Sequence, residues 1–256
     1  MKERFAQIPT KAGSMKTFIT HPEQDGPFPA VILFMDFWGV REELLDIARW
    51  TAVAGYCCVV PDFYYRQGTV QNAVRDAQGK MVSLTRLDPG TQAKVLAPLE
   101  KLSDTEAMDD TASLLEFLTG ESTVRAGPKG GFGYCLGGRL VMRAAARFPD
   151  RIRASASLHG SALMTDRQDS PHRSVSSIEG EFYCGFAEHD PYTPPESVGT
   201  LATAMKASKA RYHNEVHMGA EHGYALPNRD IHDKKATLRD WEIIHTMFRR
   251  QLFAQR

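Results

Sequence analysis

Neither sign of charge is in excess in this 256-residue chain: lysine plus arginine and aspartate plus glutamate total 31 each, a formal net charge of zero. No global field draws such a chain to nucleic acid or to an anionic membrane, so neither is expected as a partner. Cysteine is scarce, four residues with Cys57 and Cys58 adjacent, which excludes a disulfide framework. No CxxC pair or HExxH spacing offers zinc a site, and no metal is expected. No apolar run approaches the roughly 20 residues that a bilayer-crossing helix needs. Met1-Lys2-Glu3-Arg4-Phe5 is not followed by a signal-peptide core, and a cytoplasmic location is the expectation. Repeats and low-complexity tracts are also missing. With 42% hydrophobic residues the chain can bury a full core, and a single α/β domain over residues 1–256 is expected.

What is present reads as strands and helices in alternation. Met15 to Thr20 suits an edge strand, and Ala30-Val31-Ile32-Leu33-Phe34-Met35 is a continuous apolar run, the pattern of a strand covered on both faces. A helical period from Glu42 to Val53 ends near Gly55, and Tyr56 to Val60 makes another buried strand that holds Cys57 and Cys58 in the core. Strand, helix, strand implies parallel pairing. From about Phe63 to Ser103 the pattern weakens into an excursion with a short polar helix and a turn at Asp88-Pro89-Gly90, the length of a lid or binding loop. Helices follow over Thr105–Leu118, from Pro194 to about Ala207 and from about His232 to Arg250. Strands follow at Ala154–Gly160, Glu181–Phe186 and Arg211–Val216. Pro128 to Phe132 is short and poor in apolar residues for a central strand.

The stretch Gly131-Phe132-Gly133-Tyr134-Cys135-Leu136-Gly137-Gly138-Arg139 carries the strongest signal. A side chain lifted onto a sharp strand-to-helix turn needs neighbours without Cβ atoms, and Gly133 and Gly137 meet that need. Cys135 then stands at a helix N-terminus, where free N–H groups favour a nucleophile. Two further polar groups follow strand ends: Asp190 in Glu188-His189-Asp190-Pro191, and His222 between Glu221 and Gly223. The order cysteine, aspartate, histidine is the chain order of α/β-hydrolases. A thiol needs a base, which His222 supplies, and the imidazole needs a carboxylate to hold its tautomer and charge, which Asp190 supplies. The backbone N–H groups of Leu136, just after the nucleophile, and Phe37, after the first buried strand, are the expected oxyanion donors.

Met35-Asp36-Phe37-Trp38-Gly39-Val40, Val60-Pro61-Asp62-Phe63-Tyr64, Gly133-Tyr134-Cys135-Leu136-Gly137-Gly138, Gly185 to Pro191 and Gly219-Ala220-Glu221-His222-Gly223-Tyr224 together resemble the dienelactone hydrolase family over nearly the whole chain. The resemblance implies an α/β-hydrolase fold, a Cys135-Asp190-His222 triad, and cofactor-free hydrolysis of a small-molecule ester or lactone by a monomer or small homo-oligomer. It also implies that a carboxylate at Asp36, a glutamate in the family's reference enzymes, modulates the resting thiol. Those enzymes carry a substrate-binding arginine four residues after the catalytic histidine, where this chain has Leu226. Leu226, Trp38 and Tyr64 are therefore expected to line an apolar pocket suited to an uncharged ester.

Two alternatives stay open in the residues themselves. Gly131 to Gly137 also scans as a GxGxxxG dinucleotide turn, which makes the chain a nicotinamide-binding domain. His213-Asn214-Glu215 beside a Gly-x-Cys-x-Gly elbow is similar, locally, to class I glutamine amidotransferases.

Overall fold

The chain begins with a hairpin that its polar composition conceals. The computed structural model describes residues 1–70 and 72–253. In it β1 (Lys2–Thr10) folds back on β2 (Gly13–His21), with Thr10 opposite Gly13 across the two-residue turn. The edge of the sheet is therefore β1, and the Met15–Thr20 stretch lies one strand inward. An edge strand buries few residues, here Ala6 and Ile8, so its periodicity is too faint to announce it.

The two fully buried runs become β3 (Ala30–Phe34) and β4 (Cys57–Pro61), joined by helix α1 (Glu42–Val53). They pair in parallel, and Cys57 and Cys58 sit wholly in the core. After the excursion and α2 (Pro89–Glu100), α3 (Asp104–Gly120) starts on a capping box between Ser103 and Glu106. The Asp88-Pro89-Gly90 stretch proves to be the start of α2 rather than a turn. The Asp88 carboxylate accepts the Thr91 N–H at 3.0 Å and Pro89 takes the first helical position, where its missing N–H costs nothing.

β5 (Lys129–Tyr134) is central despite its glycines, pairing in parallel with both β3 and β6 (Ile152–Leu158). Helix α4 (Leu136–Arg147) leaves its end directly. β7 (Glu181–His189), α5 (Pro195–Met205), β8 (Arg211–Glu221) and α6 (Lys234–Phe248) complete the chain. Among the described residues the sheet has eight strands in the order β1-β2-β4-β3-β5-β6-β7-β8. All neighbours are parallel except the β1-β2 and β2-β4 pairs. Parallel strands end together, so the loops after β3, β5, β6, β7 and β8 converge on one edge.

The excursion is tied down across that edge. The Met81 N–H donates to the Asn228 carbonyl at 2.7 Å, Ser83 donates to Asp230 at 2.6 Å, and Arg86 pairs with Asp230 and Glu221. Arg66 is held by Asp110 at 2.7 Å. No helix among the described residues is long and apolar enough to cross a membrane.

Candidate active site

The elbow forces its shape on Cys135, whose φ of 53° and ψ of −113° lie outside the regions comfortable for an L-residue. Such backbone survives because the arms of the turn touch. A Cβ on Gly133 would strike the Gly137 backbone, and one on Gly137 would strike the Phe34 carbonyl. The glycines that scan as a dinucleotide turn are thus consumed by the elbow's own packing. The Cys135 N–H donates to the Leu158 carbonyl at 3.1 Å and its carbonyl accepts from Ser161 N–H at 3.1 Å, fixing the residue from β6. The Sγ lies 3.7 Å from Ser161 Oγ. The other three cysteines are fully buried, and burial pushes the Cys57 and Cys184 thiols up to about 12.

Asp190 follows the last residue of β7 and His222 the last residue of β8. β8 continues five residues beyond the Val216 that the sequence suggests, through a register shift against β7, and so delivers His222 straight to the edge. His222 Nδ1 and Asp190 Oδ2 are 2.7 Å apart, while the second carboxylate oxygen accepts the Tyr192 N–H at 2.8 Å. Burial works against a charged imidazole here, but Cys135 and Asp190, through charge and side-chain hydrogen bonding, outweigh it and push His222 up to about 10. Its Nε2 is buried with no well-formed hydrogen bond, Cys135 being the side chain that acts on it. A buried ring nitrogen so poorly paired is costly unless a reacting group completes the contact.

Phe37 and Leu136 lie on the loop after β3 and at the first position of α4, and neither N–H has a protein partner among the described residues. Asp36, expected to modulate the thiol, is engaged by an arginine. Its carboxylate takes two bonds from Arg41, at 2.7 and 2.9 Å, and the Trp38 N–H at 3.1 Å. Its charge is therefore committed to a buried guanidinium. Tyr64, expected to line the pocket, is a strut: fully buried, it donates to the Phe37 carbonyl at 3.0 Å. Leu226 is likewise fully buried and does not line the cavity. Trp38 is 2% exposed and sits beneath the guanidinium of Arg229, 5.4 Å from its ring centre.

That arginine is the residue sequence reasoning missed. Arg229 lines the cavity beside His222 with Phe37, Ser83, Leu84 and Tyr192. It is 5% exposed, its Nε has no partner, and its Nη2 reaches Ser83 Oγ at a long 3.5 Å. Burial pulls it below its ordinary value against the attraction of Asp36 and Cys135. A position four residues after the histidine was the place to look for a cation; the turn from Gly223 to Arg229 supplies it seven residues after. Arg66, Arg75 and Arg86 on the excursion are all engaged elsewhere. The cavity is small, about 40 Å³. A groove of about 620 Å³ flanks α4 at Arg139 and Arg143, but it contains none of Cys135, Asp190 or His222.

His213 stands near the start of β8, stacked on Tyr183 and 3.5 Å from Glu215, away from the edge that carries Cys135. The amidotransferase-like pairing has no geometry behind it. No cluster of three or more His, Cys, Asp or Glu side chains among the described residues is placed to hold a metal ion.

The model of the dienelactone hydrolase family matches residues 15–252. An Escherichia coli (strain K12) protein provisionally named carboxymethylenebutenolidase is 26% identical over 242 residues, 93% of this chain and 83% of that one. A Synechocystis protein of the same provisional name is 21% identical, with 98% of each chain covered. Among solved structures, a provisionally named dienelactone hydrolase from Klebsiella pneumoniae superposes with a TM-score of 0.81 at 23% identity, covering 100% of this chain and 99% of that one. A dienelactone hydrolase-like promiscuous phosphotriesterase from metagenomic libraries gives 0.76 at 17%, with 98% of each covered. At such identities the structural likeness speaks for the fold, that of the α/β-hydrolases.

Proposed function

The chain belongs to the dienelactone hydrolase family and is a hydrolase of esters or lactones, and from that premise we propose that it works through a Cys135-Asp190-His222 triad and a thioester acyl-enzyme. The observation that carries this reading is His222, with one ring nitrogen on Asp190 at 2.7 Å and the ring held protonated by Cys135 as well as Asp190. The thiol proton resides on His222 Nε2, and the thiolate Sγ so formed attacks the substrate carbonyl carbon. The oxyanion that forms is met by the Phe37 and Leu136 N–H groups. The carbon–oxygen bond to the leaving group breaks, His222 returns the proton to that oxygen, and the acyl group stays on Sγ. Water, deprotonated by His222, then attacks the thioester through a second oxyanion and frees the thiol.

The relatives' name, carboxymethylenebutenolidase, specifies a butenolide that carries a carboxylate, and Arg229 fits that group. Its guanidinium is buried, short of partners and on the cavity wall, where a carboxylate gives it a charge-assisted bidentate bond. The expectation of an uncharged substrate, built on Leu226, gives way to an anionic lactone. The cavity is small, about 40 Å³, and Ser83, Leu84, Thr85 and Tyr192 on its wall are the side chains that a substrate meets on entry.

The test is turnover with both substrate classes. Cys135→Ala should lose ester and lactone hydrolysis and the acyl adduct seen by mass spectrometry, while Cys57→Ala and Cys184→Ala keep both. Full activity in Cys135→Ala sinks the mechanism. Arg229→Gln should lower kcat/KM for a carboxylate-bearing lactone by about 10- to 100-fold and leave a neutral aryl ester within a few fold. Equal losses on both would remove Arg229 from substrate recognition.

A further inference from the structure

We propose that Arg41 is a positioning residue for the oxyanion donor: its buried guanidinium locks the Asp36–Gly39 turn so that the Phe37 N–H points at the reacting carbonyl. The inference rests on the acyl-transfer reading above and names a residue which that reading does not require.

The turn itself is short. The Gly39 N–H donates to the Asp36 carbonyl at 3.1 Å, and the Trp38 N–H to Asp36 Oδ1 at 3.1 Å, with Gly39 at a φ of 81°. The Asp36 carbonyl and the Phe37 N–H belong to one planar trans peptide and point in opposite directions. Whatever fixes that carbonyl therefore aims the N–H. Two groups of the turn, the Asp36 carboxylate and the Gly39 carbonyl, are taken by one side chain. Arg41 Nη1 reaches Asp36 Oδ1 at 2.7 Å and the Gly39 carbonyl at 3.2 Å, and Nη2 reaches Asp36 Oδ2 at 2.9 Å. One rigid plane thus spans the first and last residues of the turn.

The guanidinium is itself held from behind. Glu43 Oε2 accepts from its Nε at 3.1 Å and from Nη2 at 2.6 Å, while Glu43 Oε1 accepts the Asn228 N–H at 2.7 Å. Asn228 precedes Arg229 on the loop that follows His222. The line Phe37 turn, Arg41, Glu43, Asn228 joins the oxyanion donor to the segment carrying the cavity's cation, through side chains that are 1 to 11% exposed. A buried run of two carboxylates around one arginine is an expensive way to stabilise a fold. It is a good way to hold a peptide plane, because a fork with five donors at fixed angles permits one arrangement. Lysine keeps the charge but has neither the fork nor the reach to span both groups.

Arg41→Lys separates the roles. Ester hydrolysis builds charge on the carbonyl oxygen, whereas alkylation of a thiol by iodoacetamide builds none there, so only hydrolysis depends on the donor's aim. Arg41→Lys should lower kcat by about 10- to 100-fold, against the 10²- to 10³-fold cost of losing a whole donor, with KM and the rate of Cys135 alkylation both within about twofold of the parent. Glu43→Gln, which keeps an acceptor for Asn228 and perturbs the fold less, should lower kcat by about three- to tenfold with the same unchanged alkylation. Folding is checked by melting temperature in each. An unchanged kcat in folded Arg41→Lys, or in Glu43→Gln should the lysine variant not fold, overturns the proposal. So does a parallel fall in alkylation. If Cys135→Ala retains turnover, the parent reading has failed instead, and the two failures are told apart.

Discussion

Two histidines lie side by side at the sheet edge that carries Cys135, and they have opposite characters. The rings of His159 and His222 are 5.0 Å apart and nearly perpendicular. His222 has Asp190 on one nitrogen and Cys135 close by, and it holds a proton more tightly than a free imidazole. His159, just past the end of β6 at a φ of 37°, is packed between Tyr134 and Tyr224 with no partner on either nitrogen. Burial, with lesser repulsion from His222 and Arg229, drives its affinity for a proton well down. Burial alone neutralises an imidazole; a carboxylate at 2.7 Å and a neighbouring cysteine reverse the outcome. The neutral ring also puts no like charge against a protonated His222.

The comparison breaks first at turnover. His222→Ala should cost kcat on the order of 10⁴- to 10⁶-fold, because nucleophile and base act as a unit, whereas His159→Phe, which fills the same space, should stay within about tenfold. Comparable losses in the two variants would erase the distinction drawn between them. Next in size is the partner that sets His222 apart: Asp190→Asn should lower kcat by about 10³- to 10⁴-fold through the wrong tautomer, and an effect under tenfold would mean Asp190 does not orient the base.

Smaller effects appear in stability. His159 stays neutral when folded but binds a proton below about pH 6.5 when unfolded, so the protein should lose stability as pH falls below that value. The limiting slope is about 1.4 kcal/mol per pH unit, and His159→Phe should flatten it in urea melts; a slope that persists in that variant assigns the loss elsewhere. His217 supplies the opposite sign. Burial disfavours its charge, but its contact with Asp240 at 2.7 Å prevails and raises it. Its contribution is present below about pH 6.5 and fades as pH rises through its higher folded value. His217→Gln should remove that smaller alkaline loss, as Tyr183 and Tyr224 still satisfy Asp240.

Legibility followed the range of each constraint. Cys135 and its glycines could be read directly because a strand-to-helix elbow is a local demand on backbone space. The buried runs of β3 and β4 were plain for a similar reason, as a strand covered on both faces must be apolar throughout. β1 was invisible because an edge strand makes no such demand, and β5 looked too poor in apolar residues because neighbouring side chains fill the room beside its glycines. A Cβ on Gly130 would come within 2.9 Å of Leu252, and one on Gly131 within 3.1 Å of Val141.

The sequence by itself determined the sheet's parallel core, the elbow, and the chain order of cysteine, aspartate and histidine, each read from its own short stretch. Tertiary structure alone decided which charge meets which. Asp36 could be placed at a strand end but not given its partner, since Arg41 and a thiol were both within reach of that position and the guanidinium took it. Arg229 became the cavity's cation, and Leu226 was withdrawn into the core, because the segment after His222 closes into turns pinned by Met81 and Glu43 from far upstream. Electrostatic partners are chosen by distance in space, and in a parallel sheet the loops that bring them together are separated in sequence by whole strands and helices.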